Sequence, residues 1–77
     1  MFKQLVEFVV KNLVDKPESV NLTEEVIDST VVIKLRVDAS DLGKVIGKSG
    51  KTARSIRTLL FAVASKEGKR ISFEILK

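Results

Sequence analysis

Seventy-seven residues are enough for one domain and no more. The chain has no cysteine and no histidine, which excludes disulfides, thiolate chemistry, the usual zinc ligands and the usual general base at neutral pH. The net charge of +4 is unevenly spread: residues 1–42 carry five Lys/Arg against eight Asp/Glu, whereas residues 43–70 carry eight Lys/Arg against Glu67 alone, a pattern suited to a polyanion.

From Phe2 the apolar residues fall at 2, 5, 6, 9, 10, 13 and 14, the spacing of a helix with a wide buried stripe. Pro17 disfavours helix at the residue before it, so this helix is expected to end near Asp15. Lys3, Glu7 and Lys11 interrupt the stretch, which therefore reads as neither a signal core nor a membrane span, and a cytoplasmic protein is expected. Two runs rich in β-branched residues follow, Ser19 to Ile27 and Thr30 to Val37. In the second, Val31, Ile33, Leu35 and Val37 alternate with Val32, Lys34 and Arg36. Asp28-Ser29 between the runs is turn chemistry, so the pair is expected to form a hairpin.

Asp38 suits the N-cap of a next, short helix, and Asp41 stands three residues on, close to a capping box. Leu42, Val45 and Ile46 share a face of that helix, and Gly47 stops it. A longer helix is expected after Gly50, with Ala53, Ile56, Leu59, Leu60 and Val63 inward. Gly68 ends it within the charged loop Lys66-Glu67-Gly68-Lys69, and a last strand runs from Arg70 to Leu76. The order α-β-β-α-α-β makes strands 2 and 3 parallel through a right-handed helical crossover, with strand 2 central and antiparallel to strand 1. The expected class is α+β: a three-stranded mixed sheet with helices packed on one face.

The informative stretch is Val45-Ile46-Gly47-Lys48-Ser49-Gly50-Lys51-Thr52-Ala53-Arg54. Two glycines let the backbone turn tightly and approach a ligand closely. The amides that open the following helix lack internal partners and carry partial positive charge, which suits a phosphate. Lys44, Lys48, Lys51, Arg54 and Arg57 surround the loop with no acid among them in the sequence. A G-x-x-G alone is also met as a plain helix-helix connector. Gly47-Lys48-Ser49 and Gly50-Lys51-Thr52 both look like the end of a P-loop, but the glycine required five residues earlier is replaced by Leu42 and Val45 respectively, and a helix precedes the loop where a strand is needed.

With I-G-x-x-G, a basic residue inside the loop and a helix on either side, the chain resembles the KH domain family in its type II, bacterial arrangement. Within it, the likeness is to the small bacterial proteins of the KhpA type, which consist of one KH domain. The likeness covers essentially the whole chain, residues 1–77, and departs from the family pattern at Ala53, where many KH domains place a larger aliphatic residue. It implies that Gly47, Lys48, Ser49 and Gly50 clamp the backbone of about four nucleotides of single-stranded RNA. It implies further that Val45, Ile46 and Ala53 border the groove floor, that Lys44, Lys51, Arg54 and Arg57 frame it, and that Lys66 to Arg70 is the variable loop. Val45 and Ile46 serve equally well as plain core, and Arg57 as a solvated helix face.

The implied function is RNA binding of low sequence specificity, as a post-transcriptional regulator or ribosome-associated RNA chaperone, with no enzymatic activity, metal or cofactor. A protein-interaction module and a single-stranded DNA binder are the alternatives. Without tyrosine or tryptophan, stacking on aromatic platforms is not expected to dominate. Phe61 lies off the inward face of its helix. It either packs under the first helix or anchors a partner, and the family resemblance implies self-association or pairing with a larger KH protein of the KhpB type.

Overall fold

The computed structural model describes residues 2–76. Helix α1, Phe2–Lys11, buries Phe2, Val6 and Val10, one residue per turn on one side. Val14 continues that stripe beyond the helix. The helix ends four residues before the expected Asp15. The side-chain amide of Asn12 donates to the carbonyl of Phe8 at 2.7 Å, taking the acceptor that the residue's own N–H uses in a continuing helix. That N–H turns to Val9 instead. Pro17–Ser19 then forms a 3-10 turn, closed by the N–H of Val20 on the carbonyl of Pro17, so strand β1 starts at Asn21, later than the expected Ser19.

Strands β1, Asn21–Ile27, and β2, Thr30–Arg36, pair antiparallel from Asn21↔Arg36 to Ile27↔Thr30. Asp28 and Ser29 join them with φ of 48° and 65°. Two consecutive positive φ values define a turn whose twist matches that of the strands. Strand β3, Arg70–Ile75, pairs parallel with β2 from Thr30↔Arg70 to Leu35↔Ile75, giving the order β1-β2-β3. Helices α2, Leu42–Ile46, and α3, Lys51–Lys66, form the crossover between those parallel strands. The topology is that of a type II KH fold.

The core lies between the sheet and the helices. Val31, Ile33 and Leu35 of β2 are buried, with Leu22 of β1 and Phe73 of β3, against Val45 of α2 and Ile56, Leu60 and Ala64 of α3. The alternate residues of β2, Val32 and Lys34, are only half-buried on the other face. The inward stripe of α3 is Ala53, Ile56, Leu60 and Ala64. Leu59, expected inward, is exposed: Ile56, Leu60 and Ala64 recur every four residues, and Leu59 falls about 100° from Leu60 around the helix. At the edge of the sheet, Glu24 of β1 accepts the backbone N–H of Lys3 at 3.0 Å, joining the first turn of α1 to the strand it covers. Among the described residues, no helix is long and apolar enough to cross a membrane.

Candidate nucleic-acid interface

The site is built around α2, and its two ends are held differently. At the N-terminal end, Asp38 accepts from the backbone N–H of Ser40 at 3.0 Å and from its hydroxyl at 2.5 Å, capping the 3-10 turn Ala39–Asp41 that leads into the helix. These two donors hold the Asp38 carboxyl below the ordinary carboxylate range. Asp41 does not complete a capping box. Its side chain turns away and is 1% exposed. It accepts the backbone N–H groups of Asp15 and Lys16 at 3.1 and 2.9 Å, and so fixes the segment after α1 against the entry to α2. Burial pushes the Asp41 carboxyl up. The two backbone donors and the nearby Lys44 ammonium outweigh it, leaving the carboxyl below its ordinary value.

Lys44 departs from the expected acid-free cluster. Its ammonium pairs with Asp15 and lies 3.5 Å from Asp41. The hydrogen bond to Asp15 and the field of both carboxylates raise its pKa against a smaller effect of burial. The chain reversal after α1 brings Asp15 from 29 residues away, which no local pattern announces, whereas Asp41 stands three residues before Lys44, at ordinary helical spacing. The ammonium of Lys44 is therefore largely compensated.

At the C-terminal end, Gly47 donates its N–H to the carbonyl of Gly43 at 2.9 Å and stops α2. Its φ of 77° and ψ of 173° belong to a region open essentially to glycine alone. A Cβ there would stand 2.2 Å from Oγ1 and 2.8 Å from the backbone N of Thr52. Ser49 is left-handed at φ 56°, ψ 28°, and Gly50 at φ 75°, ψ 13°, but a Cβ on Gly50 meets nothing within 4 Å. The first glycine is thus demanded by space as well as by backbone conformation, the second by conformation alone. Lys48 and Ser49 are exposed between them, and no side chain caps the start of α3.

The remaining candidates divide by burial. Val45 is fully buried and Ala53 nearly so, so they support the site from beneath, while Ile46 is half-exposed beside the loop. Lys51, Arg54 and Arg57 are exposed along α3. Among the described residues, Lys48, Lys51, Arg54 and Arg57 take part in no ion pair. Arg57 reaches across to β3: its Nε donates to the carbonyl of Phe73 at 3.3 Å, and its guanidinium lies 5.8 Å from the centroid of that ring. The structure therefore gives Arg57 a fixed place on the rim between α3 and the edge of β3. The loop Lys66–Arg70 is short and closed, with Lys69 donating its backbone N–H to the carbonyl of Ala64 at 2.8 Å. Phe61 does not pack under α1. It is 67% exposed on the β3 side of α3, because the inward stripe is already filled by Leu60 and Ala64.

The family model described as "KhpA/KhpB, KH domain" matches residues 3–75. The chain is 52% identical over 75 residues to the RNA-binding protein KhpA of Aquifex aeolicus, covering 97% of this chain and 95% of that one. It is 47% identical over 75 residues to the protein of the same name from Chlamydia trachomatis, at 97% and 96% coverage. A third, from Clostridium perfringens, is 46% identical over 74 residues, at 96% and 99% coverage. All three carry an RNA-binding name and none an enzymatic one. No solved structure matches the chain.

Proposed function

The chain belongs to the KhpA/KhpB KH-domain family, and from that premise we propose that it binds single-stranded RNA by clamping the phosphate backbone with Gly47-Lys48-Ser49-Gly50. One observation carries the reading: the exposed Lys48-Ser49 pair stands between two glycines of positive φ at the uncapped start of α3, beside three further exposed cations without ion-pair partners among the described residues. Phosphates are the groups that such donors and charges suit. Lys48, Lys51, Arg54 and Arg57 supply the positive charge, Gly47 and Gly50 the close approach, and Ile46 the apolar border, with Val45 and Ala53 beneath. Lys44 contributes less, because its charge is shared with two carboxylates.

Residues 1–77 act in this reading as a single KH domain. Contacts to backbone and groove, with few to base edges, give low sequence specificity. That suits a cytoplasmic post-transcriptional regulator or ribosome-associated RNA chaperone. A single short site binds weakly, and a second one adds avidity, so we also propose that the protein pairs with a second copy or with a larger KhpB-type protein. The exposed apolar residues Phe8, Val26 and Ile27 lie outside the loop and favour such pairing.

Competition gel shifts test the ligand class. Single-stranded RNA is expected to displace a labelled RNA, and duplex RNA is not. Equal competition by single-stranded DNA would widen the ligand to single strands in general. With three or four phosphates contacted, log K falls with log salt at a slope of about −2 to −3. A slope near zero contradicts the phosphate clamp.

A further inference from the structure

The sheet carries its helices on one face and leaves the other open. Along β2 the open face presents Val32, Lys34 and Arg36. The antiparallel register sets Thr23 of β1 beside Lys34 and Asn21 beside Arg36. Leu76 follows the end of β3 on the same face, its N–H bonded to the carbonyl of Leu35. Asn21, Thr23, Lys34, Arg36 and Leu76 line a shallow cleft of about 160 Å³. Neighbouring strands can neutralise such cations with carboxylates placed opposite them. Here β1 supplies an amide and a hydroxyl instead, and neither side chain makes a hydrogen bond among the described residues. Two carboxylates share the open face, Glu74 in register with Lys34 and Glu25 opposite Val32. Neither lines the cleft, and among the described residues neither forms an ion pair with Lys34 or Arg36.

The cleft lies at the same end of the molecule as the glycine loop. Helix α3 runs antiparallel to β3: the short loop 66–70 joins them, and Arg57 reaches the carbonyl of Phe73. Lys51 stands six residues before Arg57, about 9 Å further along the helix, so the glycine loop lies towards the Ile75 end of the strand. We infer that the cleft of Asn21, Thr23, Lys34 and Arg36 is a second phosphate-binding site for single-stranded RNA, reached by a strand that leaves the loop and passes round the end of β3 to the open face. The inference rests on the RNA-binding reading above. Arg36 offers paired N–H donors that match two phosphate oxygens, Lys34 a compact charge, and Asn21 and Thr23 further donors. The charge of the cleft suits an anion, and the loop at the same end favours RNA over an acidic protein segment, because it holds a polyphosphate within reach.

The experiment compares wild type with the double variant Lys34→Gln, Arg36→Gln, using oligouridylates of about five and about twelve nucleotides, the shorter being little more than a loop of this kind grips. Arg36→Glu, at an exposed position, is the second variant, and melting temperatures confirm that each protein is folded. A second phosphate site predicts that the double variant binds the short oligonucleotide like wild type and the long one about tenfold more weakly. Its salt slope for the long one becomes shallower by about 0.7, the contribution of one phosphate on a single strand. Arg36→Glu shows the same dependence on length. Wild-type affinity and salt slope for the long oligonucleotide in both variants overturn the site and leave the loop clamp standing. An equal loss for both lengths also overturns it, since the two residues then act on the loop and not on a distant stretch of RNA. If the variants bind the long RNA normally but lose binding of a polyglutamate peptide that wild type retains, the cleft belongs to acidic protein segments and the proposal fails. If wild type binds neither oligonucleotide, the RNA-binding reading itself falls and the second site falls with it.

Discussion

The two ends of α2, a helix of five residues, are built on opposite plans. The entry is tied down: Asp41 is buried, both of its oxygens accept backbone N–H groups from residues 15 and 16, and Lys44 sits between two carboxylates. The exit is left open: Lys48 and Ser49 are exposed, and the nearby cations on α3 have no acidic partner among the described residues. Charge at the entry is neutralised inside the protein, and charge at the exit faces outward. A short helix held firmly at one end can present a rigid loop at the other, which is the preorganisation that a backbone clamp requires. The contrast also separates two kinds of lysine that a charge count treats alike.

Substitutions can break this contrast from either side. The largest combined effect is expected at Gly47. Gly47→Ala places a methyl group against Thr52 and forces a glycine-only conformation, costing about 2 kcal/mol or more in stability and distorting the loop so that RNA binding is also lost. Gly50→Asn should be far milder, since its left-handed conformation suits asparagine and a side chain there meets open space. Thermal melts of the two variants, run with RNA titrations, test the asymmetry. Equal losses at both positions would contradict it.

At the entry, Asp41→Asn replaces a two-oxygen acceptor by one carbonyl and one donor, leaving a backbone N–H of residue 15 or 16 without a partner. The melting temperature is expected to fall by several degrees, the scale of one or two lost charge-assisted hydrogen bonds in a domain this small. The pH dependence has a definite sign. The Asp41 carboxyl lies below its ordinary value of about 4 in the folded protein, so its stabilisation is present above that pH and lost as pH falls through the folded value. The variant should show a flatter acid limb in its stability curve than wild type, with Asp38 still contributing to both. The smallest effect on RNA is expected at Lys44. Lys44→Gln should weaken binding less than Lys51→Gln at the same salt concentration, because only the second charge is free to meet a phosphate. Filter binding of the two variants side by side checks this, and a larger loss at Lys44 would reverse the assignment.

Much of this architecture is legible in the sequence. The spacing of Phe2, Val6 and Val10, the alternation of Val31, Ile33 and Leu35, and the turn residues Asp28-Ser29 dictate the α-β-β-α-α-β order, because each is a local pattern with a local physical cause. Gly47 and Gly50 mark the loop for the same reason. What the sequence conceals are the contacts between distant residues. Nothing near Asp41 indicates that it bonds to Asp15 and Lys16, so its local pattern suggests a capping role instead. The early end of α1 depends on one side-chain amide, Asn12, competing for one carbonyl. That Phe61 lies off the buried stripe follows from helical geometry, but its position over the edge of β3 beside Arg57 comes only from the packing of α3 on the sheet. The roles of the site residues lie one step further on, with the ligand.

The double substitution Lys48→Asp, Ser49→Asp addresses the clamp most directly. Both side chains are exposed, both glycines stay, and aspartate tolerates the left-handed conformation of position 49 better than most residues. Stability should change by no more than about 0.5 kcal/mol. The charge facing the phosphate changes by three units, and each misplaced carboxylate opposes a phosphate at a cost of about 1 to 4 kcal/mol, enough to abolish binding by a weak single site. Melting temperature and RNA affinity measured on one preparation decide the matter: the account predicts an unchanged melt with no detectable binding, and a folded double variant that binds RNA like wild type would contradict it.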